Sequence, residues 1–295
     1  MTGQARSIPE LLEKLVNLKS EEGLAQAKAF IPRPDDVVIA TFAKAGTTWL
    51  QQIVHVLRTG GDMDFGEITE VVPWIETAFD MGIDLEAEQR GGIRAFKSHW
   101  GWGDVPMGCR YITVFRDPLD TAVSFYHFMD GWFLASGAVS INEFAREFFL
   151  KPYFEGGYWG HLLSWWPHRN DPDVLTLAFE DMKADHPGAV KQVAEFLGFE
   201  RVGHNLDVAV QQSTFEFMKA NESHFDDHVI AEMLNPRLGL PTGLISTKVR
   251  AGRIGDSKEG LSAGTKALFD EMWAETIGAE LGFADYDELR AALAG

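Results

Sequence analysis

The first limits on this 295-residue chain come from what it lacks. Lysine and arginine number 26 against 44 aspartates and glutamates, a net charge of −18. That deficit of positive charge works against nonspecific nucleic-acid binding and against adhesion to anionic membranes. Cysteine occurs once, at Cys109, which excludes an intramolecular disulfide and fits a reducing compartment. No apolar run has the length of a membrane span, and Met1 to Ser7 leads into no signal-like segment, so the expected location is the cytoplasm. Ser/Gly tracts, low-complexity blocks and repeats are absent, and residues 1–295 read as one α/β domain. No Cys/His spacing suits a metal, so none is expected, and no serine stands in a Gly-x-Ser-x-Gly context.

What is present centres on Val37 to Arg58. Val37 to Thr41 is a β-branched run of the kind that forms a buried strand, and Leu50, Ile53, Val54 and Leu57 recur at helical spacing from Thr47 onward. Strand, tight loop and helix make a phosphate cradle: Gly46 permits the turn, Thr47 and Thr48 bring hydroxyls, and the free N–H groups of the first helical turn attract an anion. The loop is not a Walker loop, because Lys44 precedes Gly46 by two residues and no earlier glycine stands in position. An ordinary turn with a solvated lysine is the alternative.

Further strands are expected at Ile93–Lys97, Cys109–Phe115 and Val174–Phe179, alternating with helices that include Leu119–Gly131 and the stretch through Val190, Val193, Ala194 and Leu197. Ser7 to Glu10 has the pattern of a capping box ahead of an amphipathic helix. This alternation implies a central parallel sheet flanked by helices, with its site along the carboxyl edge. Two charged strings lie where that edge falls. Arg116 ends one strand, and Ser124 follows eight residues on in Arg-Asp-Pro-Leu-Asp-Thr-Ala-Val-Ser; its planar guanidinium suits a phosphate. The alternative for Arg116 is a pair with Asp117 or Asp120. Arg250-Ala-Gly-Arg-Ile-Gly-Asp-Ser-Lys258 is a basic loop with two glycines, suited to phosphate approach or merely solvated.

Lys44-Ala-Gly-Thr-Thr-Trp49 resembles the 5′-phosphosulfate loop of the cytosolic sulfotransferase family, and the Arg116 and Arg250 strings resemble that family's 3′-phosphate segments in the same order. The resemblance spans roughly Asp35 to Lys258. It implies a P-loop-like α/β fold that binds 3′-phosphoadenosine 5′-phosphosulfate and releases adenosine 3′,5′-bisphosphate. The implied cofactor-binding residues are Lys44, Ala45, Gly46, Thr47, Thr48, Trp49, Arg116, Ser124, Phe179, Ser213, Phe215, Arg250, Ala251 and Gly252. Departures from the family strings include Ala45 in place of a serine, Phe179 of a tyrosine, Ala251 of a lysine and Ser257 of a tryptophan.

Phe-Lys-Ser-His99 resembles the family's Lys-Thr-His, which implies His99 as general base with Lys44 and Lys97 assisting; imidazole chemistry near neutral pH suits the role. His127 and His161 are competitors, although neither ends an expected strand. Val72-Pro-Trp-Ile-Glu76 resembles an acceptor-lining string, which brings Trp74 and Phe79 in as substrate-binding candidates. The expected reaction partner is a small hydrophobic or aromatic alcohol or phenol, with no nucleic-acid or membrane partner. A P-loop kinase and a non-catalytic nucleotide-binding relative are the rival readings. The family's dimer string would align with Lys258, Ser262, Ala263 and Ala267, where its apolar-plus-charged pattern is lost, so that interface is expected to be absent.

Overall fold

Val37–Ala40 (β1) is buried at every position, as its β-branched run requires. In the computed structural model, which describes residues 3–199, 203–249, Gly255 and 260–293, it is the second strand of a four-stranded parallel sheet. Its companions are Ala95–Ser98 (β2), Arg110–Phe115 (β3) and Val174–Ala178 (β4), and the order is β2-β1-β3-β4. Val37 pairs with Ala95 on one side and Arg110 on the other, while Tyr111 pairs with Val174.

The strands are covered on both faces, which explains their nearly continuous apolar character. Val37, Ile39, Ile112 and Val114 pack with Leu50, Ile53 and Leu57 of the 13-residue helix Thr47–Thr59, and with Val190, Val193 and Leu197 of the helix His186–Leu197. The alternate residues Val38, Ala40, Phe96, Tyr111 and Phe115 join a larger cluster on the opposite face, rich in rings such as Trp100, Phe133, Phe149 and Trp165. The sheet therefore separates an aliphatic side from an aromatic one.

Expected and observed boundaries differ by one or two residues, for identifiable reasons. The second strand begins at Ala95 because the Ile93 carbonyl accepts from the Arg58 guanidinium at 2.9 Å and the Ala95 amide donates to Gln89 Oε1 at 2.8 Å. The fourth strand stops at Ala178, and Phe179 opens a short helix, Phe179–Ala184. At the amino terminus, Ser7 Oγ accepts from Glu10 N, but the Glu10 carboxylate returns to Arg6 N, one residue outside a regular capping box. Ser262 caps the helix Ala263–Trp273 through Thr265 N; Lys258 lies outside the described residues.

The amino ends of β1 and β2 are clamped by charge. Arg94 Nε and Nη2 donate to the two oxygens of Asp36 at 2.9 and 2.6 Å, and the two side chains are only 1% and 2% exposed. Such a pair adds little over an apolar contact, yet removing one partner strands a buried charge. Asp36→Ala is expected to lower unfolding free energy by roughly 3–5 kcal/mol, read from the urea midpoint at constant slope; a loss below about 1 kcal/mol would show that Arg94 finds another partner.

Candidate functional site

Because β1 lies between β2 and β3, the chain leaves its carboxyl end where the connections diverge, and parallel sheets open a crevice at that point. The loop after β1 lies there. Lys44 takes a left-handed conformation at φ 68° and Gly46 takes φ 114°. A side chain at Gly46 would be strained by this backbone, and its Cβ would meet the Phe179 ring at 3.2 Å. Gly46 is also the N-cap of Thr47–Thr59, where no side chain caps the helix, so the first-turn amides remain available to an anion. Thr47 Oγ1 is 2.6 Å from Thr41 Oγ1, which ties the first helical turn to the end of the strand.

Arg116 follows β3 directly. It donates from Nη1 to the Lys44 carbonyl at 2.8 Å, and its guanidinium lies 4.2 Å over the Phe179 ring. The alternative pairing with Asp117 or Asp120 is not formed: Asp117 caps the helix Pro118–Met129 by accepting from Asp120 N, and Asp120 accepts from Gly255 N at 2.6 Å. Arg116 thus supports the loop with one arm, and burial lowers its pKa.

Trp49 donates through Nε1 to the Ser213 carbonyl at 2.8 Å and packs on Phe179 and His186, with ring centroids 5.8 and 5.4 Å away. His186 Nε2 reaches Ser213 Oγ at 2.8 Å.

Lys97 lies on β2 and His99 follows it. The segment Pro73–Trp74 runs alongside: the Lys97 amide donates to the Pro73 carbonyl at 2.7 Å, and the ammonium stands 4.2 Å from the Trp74 ring. Trp74 meets His99 edge to face at 5.2 Å. The His99 amide donates to Glu76 Oε1 at 2.7 Å, and Nδ1 lies 2.8 Å from the Thr41 carbonyl. Only a protonated Nδ1 can bond to a carbonyl, so Nε2 carries the lone pair. Burial and then the charge of Lys97 push the imidazole pKa well below its ordinary value, and the ring is neutral at physiological pH.

Lys97 is buried, and Lys44 is half-buried in the cleft. The Lys44 ammonium lies 4.2 Å from the Phe128 ring, and burial followed by repulsion from Lys248 lowers its pKa to about 7. Lys97 is lowered to about 8 by the same two causes in the same order.

These groups line a cleft of about 390 Å³, which takes in Lys44, Gly46, Thr47, Thr48, Trp49, Arg116, Ser124, Phe179, Ser213 and Phe215. A second cavity, of about 420 Å³, is walled mostly by rings, including Trp74, Trp100, Phe125, Trp132 and Phe149. Ala43, Lys97, His99, Phe128 and Asp227 line both. Ala45 is buried behind the loop, with its amide on the Phe42 carbonyl, and does not line the cleft.

Phe79 is 45% exposed and lines neither cavity: the turn after Ile75–Thr77 puts Ala78 inward and the next side chain outward. Of the competing histidines, His161 packs in the aromatic core against Phe42, and its pKa falls to about 3 through burial. Arg250, Ala251, Gly252 and Ser257 lie outside the described residues.

The sequence reading missed a buried ionic group beside the two lysines. Lys248 pairs with Asp227 and, at 3.3 Å, with Glu67; both carboxylates raise its pKa against burial. Lys248 stands two residues before the basic string, which was a usable signal. Glu67 and Asp227 are distant in sequence, and nothing in their own neighbourhoods marks them.

A sulfotransferase domain model matches residues 34–279. Rat sulfotransferase 2A6 is 30% identical over 262 residues, covering 84% of this chain and 86% of that one. Human sulfotransferase 1C2 is 27% identical over 283 residues, covering 89% and 93%. The structure of mouse sulfotransferase SULT7A1 complexed with PAP superposes with a TM-score of 0.69 at 26% identity over 94% of each chain. With four parallel strands delivering a phosphate-type loop to their carboxyl edge and a domain match that spans most of its length, this chain belongs to the sulfotransferase family.

Proposed function

We propose that the protein transfers a sulfuryl group from 3′-phosphoadenosine 5′-phosphosulfate to the hydroxyl of a small hydrophobic acceptor, an alcohol or phenol, with His99 as general base. The observation that carries this reading is the meeting of a cationic cleft and an aromatic cavity at Lys97 and His99. The bound PAP in the mouse relative supports the choice of nucleotide. The chain's own chemistry fits it: uncapped amides at Thr47–Thr59, a guanidinium with no carboxylate partner among the described residues, and a glycine where a Cβ would press on Phe179.

In this assignment Lys44, Thr47, Thr48 and the helix amides hold the 5′-phosphate, and Arg116 and Ser124 hold the 3′-phosphate. Trp49 and Phe179 flank the base, with Ser213 and Phe215 beside them. Arg250, Ala251 and Gly252 are assigned to the 3′-phosphate from the motif alone. The phosphosulfate supplies the activated sulfuryl group. His99 Nε2 takes the acceptor proton, Lys97 faces the transferring group, and Lys44 stabilises charge on the bridging oxygen as it develops, so that positioning and electrostatics do most of the work. Phe179 lacks the hydroxyl of the family tyrosine but keeps a ring that supports the Arg116 guanidinium.

His99→Ala is expected to leave adenosine bisphosphate affinity within a few-fold while lowering turnover roughly 10²–10⁴-fold. The loss should shrink for phenols acidic enough to be ionised at the assay pH, which need no base. Near-normal turnover of weakly acidic alcohols by the variant would remove His99 from the mechanism.

The lysine pKa values give a second test. With Lys44 near 7 in the free protein, raising the pH deprotonates it and removes an ammonium that an anion requires. Adenosine bisphosphate affinity should therefore fall above pH 7, approaching about tenfold per unit, with proton uptake on binding, visible as heats that vary with buffer ionisation enthalpy. Lys44→Met should abolish that slope. Affinity that stays level from pH 6.5 to 9 in the unmodified protein would place the ammonium outside the anion site.

A further inference from the structure

The aromatic cavity has a charged corner that the transfer chemistry does not use. Among the described residues, its charged lining consists of Asp227, Lys97, Lys19 and Lys151. Asp227 is engaged by Lys248, and Lys97 belongs to the reacting centre. Lys19 remains. It lies in the bend between the helices Ile8–Val16 and Glu21–Ala29, half-buried, with its ammonium 5.6 Å from the Trp74 ring and its charge felt at His99.

In a chain with 18 more acidic than basic residues, a half-buried lysine without a carboxylate partner among the described residues needs a reason. Beside it, the Asp80 oxygens receive the Ser20 amide at 2.8 Å and the Arg237 guanidinium at 2.5 Å. Arg237 also donates to the Asn17 carbonyl at 2.9 and 2.6 Å. Arg237 and Asp80 thus pin the backbone on either side of Lys19. The bend presents the Lys19 ammonium to the cavity beside Trp74.

We infer that the acceptor carries a carboxylate as well as a hydroxyl, separated by about one ring or a short chain, and that Lys19 is the residue that selects it. This rests on the transferase reading for its hydroxyl and on Lys19 for its anion. The Trp74 ring neighbours both groups, 5.6 Å from the Lys19 ammonium and 5.2 Å from the His99 ring, and a charge-assisted contact in such a partly dry setting is stronger than one in open water.

The test compares 4-hydroxyphenylacetate with its neutral isostere 4-hydroxyphenylacetamide on the full chain saturated with adenosine bisphosphate, with binding read from quenching of the cavity tryptophans. The carboxylate should bind about five- to tenfold more tightly, and the margin should shrink as salt is raised. Lys19→Met should bring the carboxylate to the affinity of the amide and leave the amide unchanged; Lys151→Met, altering the exposed lysine of the same lining, should leave the margin intact. Equal binding of the two compounds by the unmodified protein, or a margin that survives Lys19→Met, overturns the inference. Binding is independent of turnover: a protein that shows the margin but never sulfates the phenol counts against the transferase reading, and one that sulfates both compounds without a margin counts against Lys19.

Discussion

Withdrawal of two ammonium groups from water is the constraint on which the site depends. Lys44 lies on the Phe128 ring and Lys97 on the Trp74 ring, each 4.2 Å away. Desolvation makes both easy to deprotonate when nothing anionic is near, and a bound anion restores their charge. Aromatic faces make this tolerable because their quadrupoles compensate part of the lost hydration. The protein is acidic overall, yet Lys44, Lys97, Arg116 and Lys248 all line this cleft.

The rest of the architecture serves to hold those groups in place. Order β2-β1-β3-β4 gathers the carboxyl ends of all four strands at one edge: the loop with Lys44 from the first, Lys97 and His99 from the second, Arg116 from the third and Phe179 from the fourth. The loop is braced from outside by the Arg116 guanidinium on the Lys44 carbonyl and from inside by Thr41 on Thr47. His99 is oriented at two atoms, through Nδ1 on the Thr41 carbonyl and its amide on Glu76. One strand end therefore holds both the Lys44 loop and the tautomer of His99. At the opposite end of the strands, Arg94 and Asp36 clamp the same two chains.

The two faces of the sheet have divided roles. The aliphatic side anchors the long helix whose amino terminus points at the cleft. The aromatic side supplies the walls of the second cavity, and its rings touch one another edge to face through much of that layer, as Phe42 does with Phe125, Phe149 and Tyr158. Edge-to-face packing leaves concave space between large rings that aliphatic side chains would fill. The second cavity beside His99 lies in that layer.

Local pattern alone determined the strands, the long helices and the loop at Lys44, because continuous apolar runs, helical spacing and the turn at Gly46 are properties of contiguous residues. It also determined that Lys97, His99 and Arg116 would stand at strand ends, since each directly follows or closes an apolar run. Tertiary structure decided the rest. The sheet order, the meeting of two cavities at His99, the exposure of Phe79 and the capture of Lys248 by Glu67 and Asp227 all join residues far apart in the chain. So does the clamp of Arg237 and Asp80 around Lys19. A pairing of that kind depends on how helices pack across the sheet, and neighbouring residues carry no imprint of it.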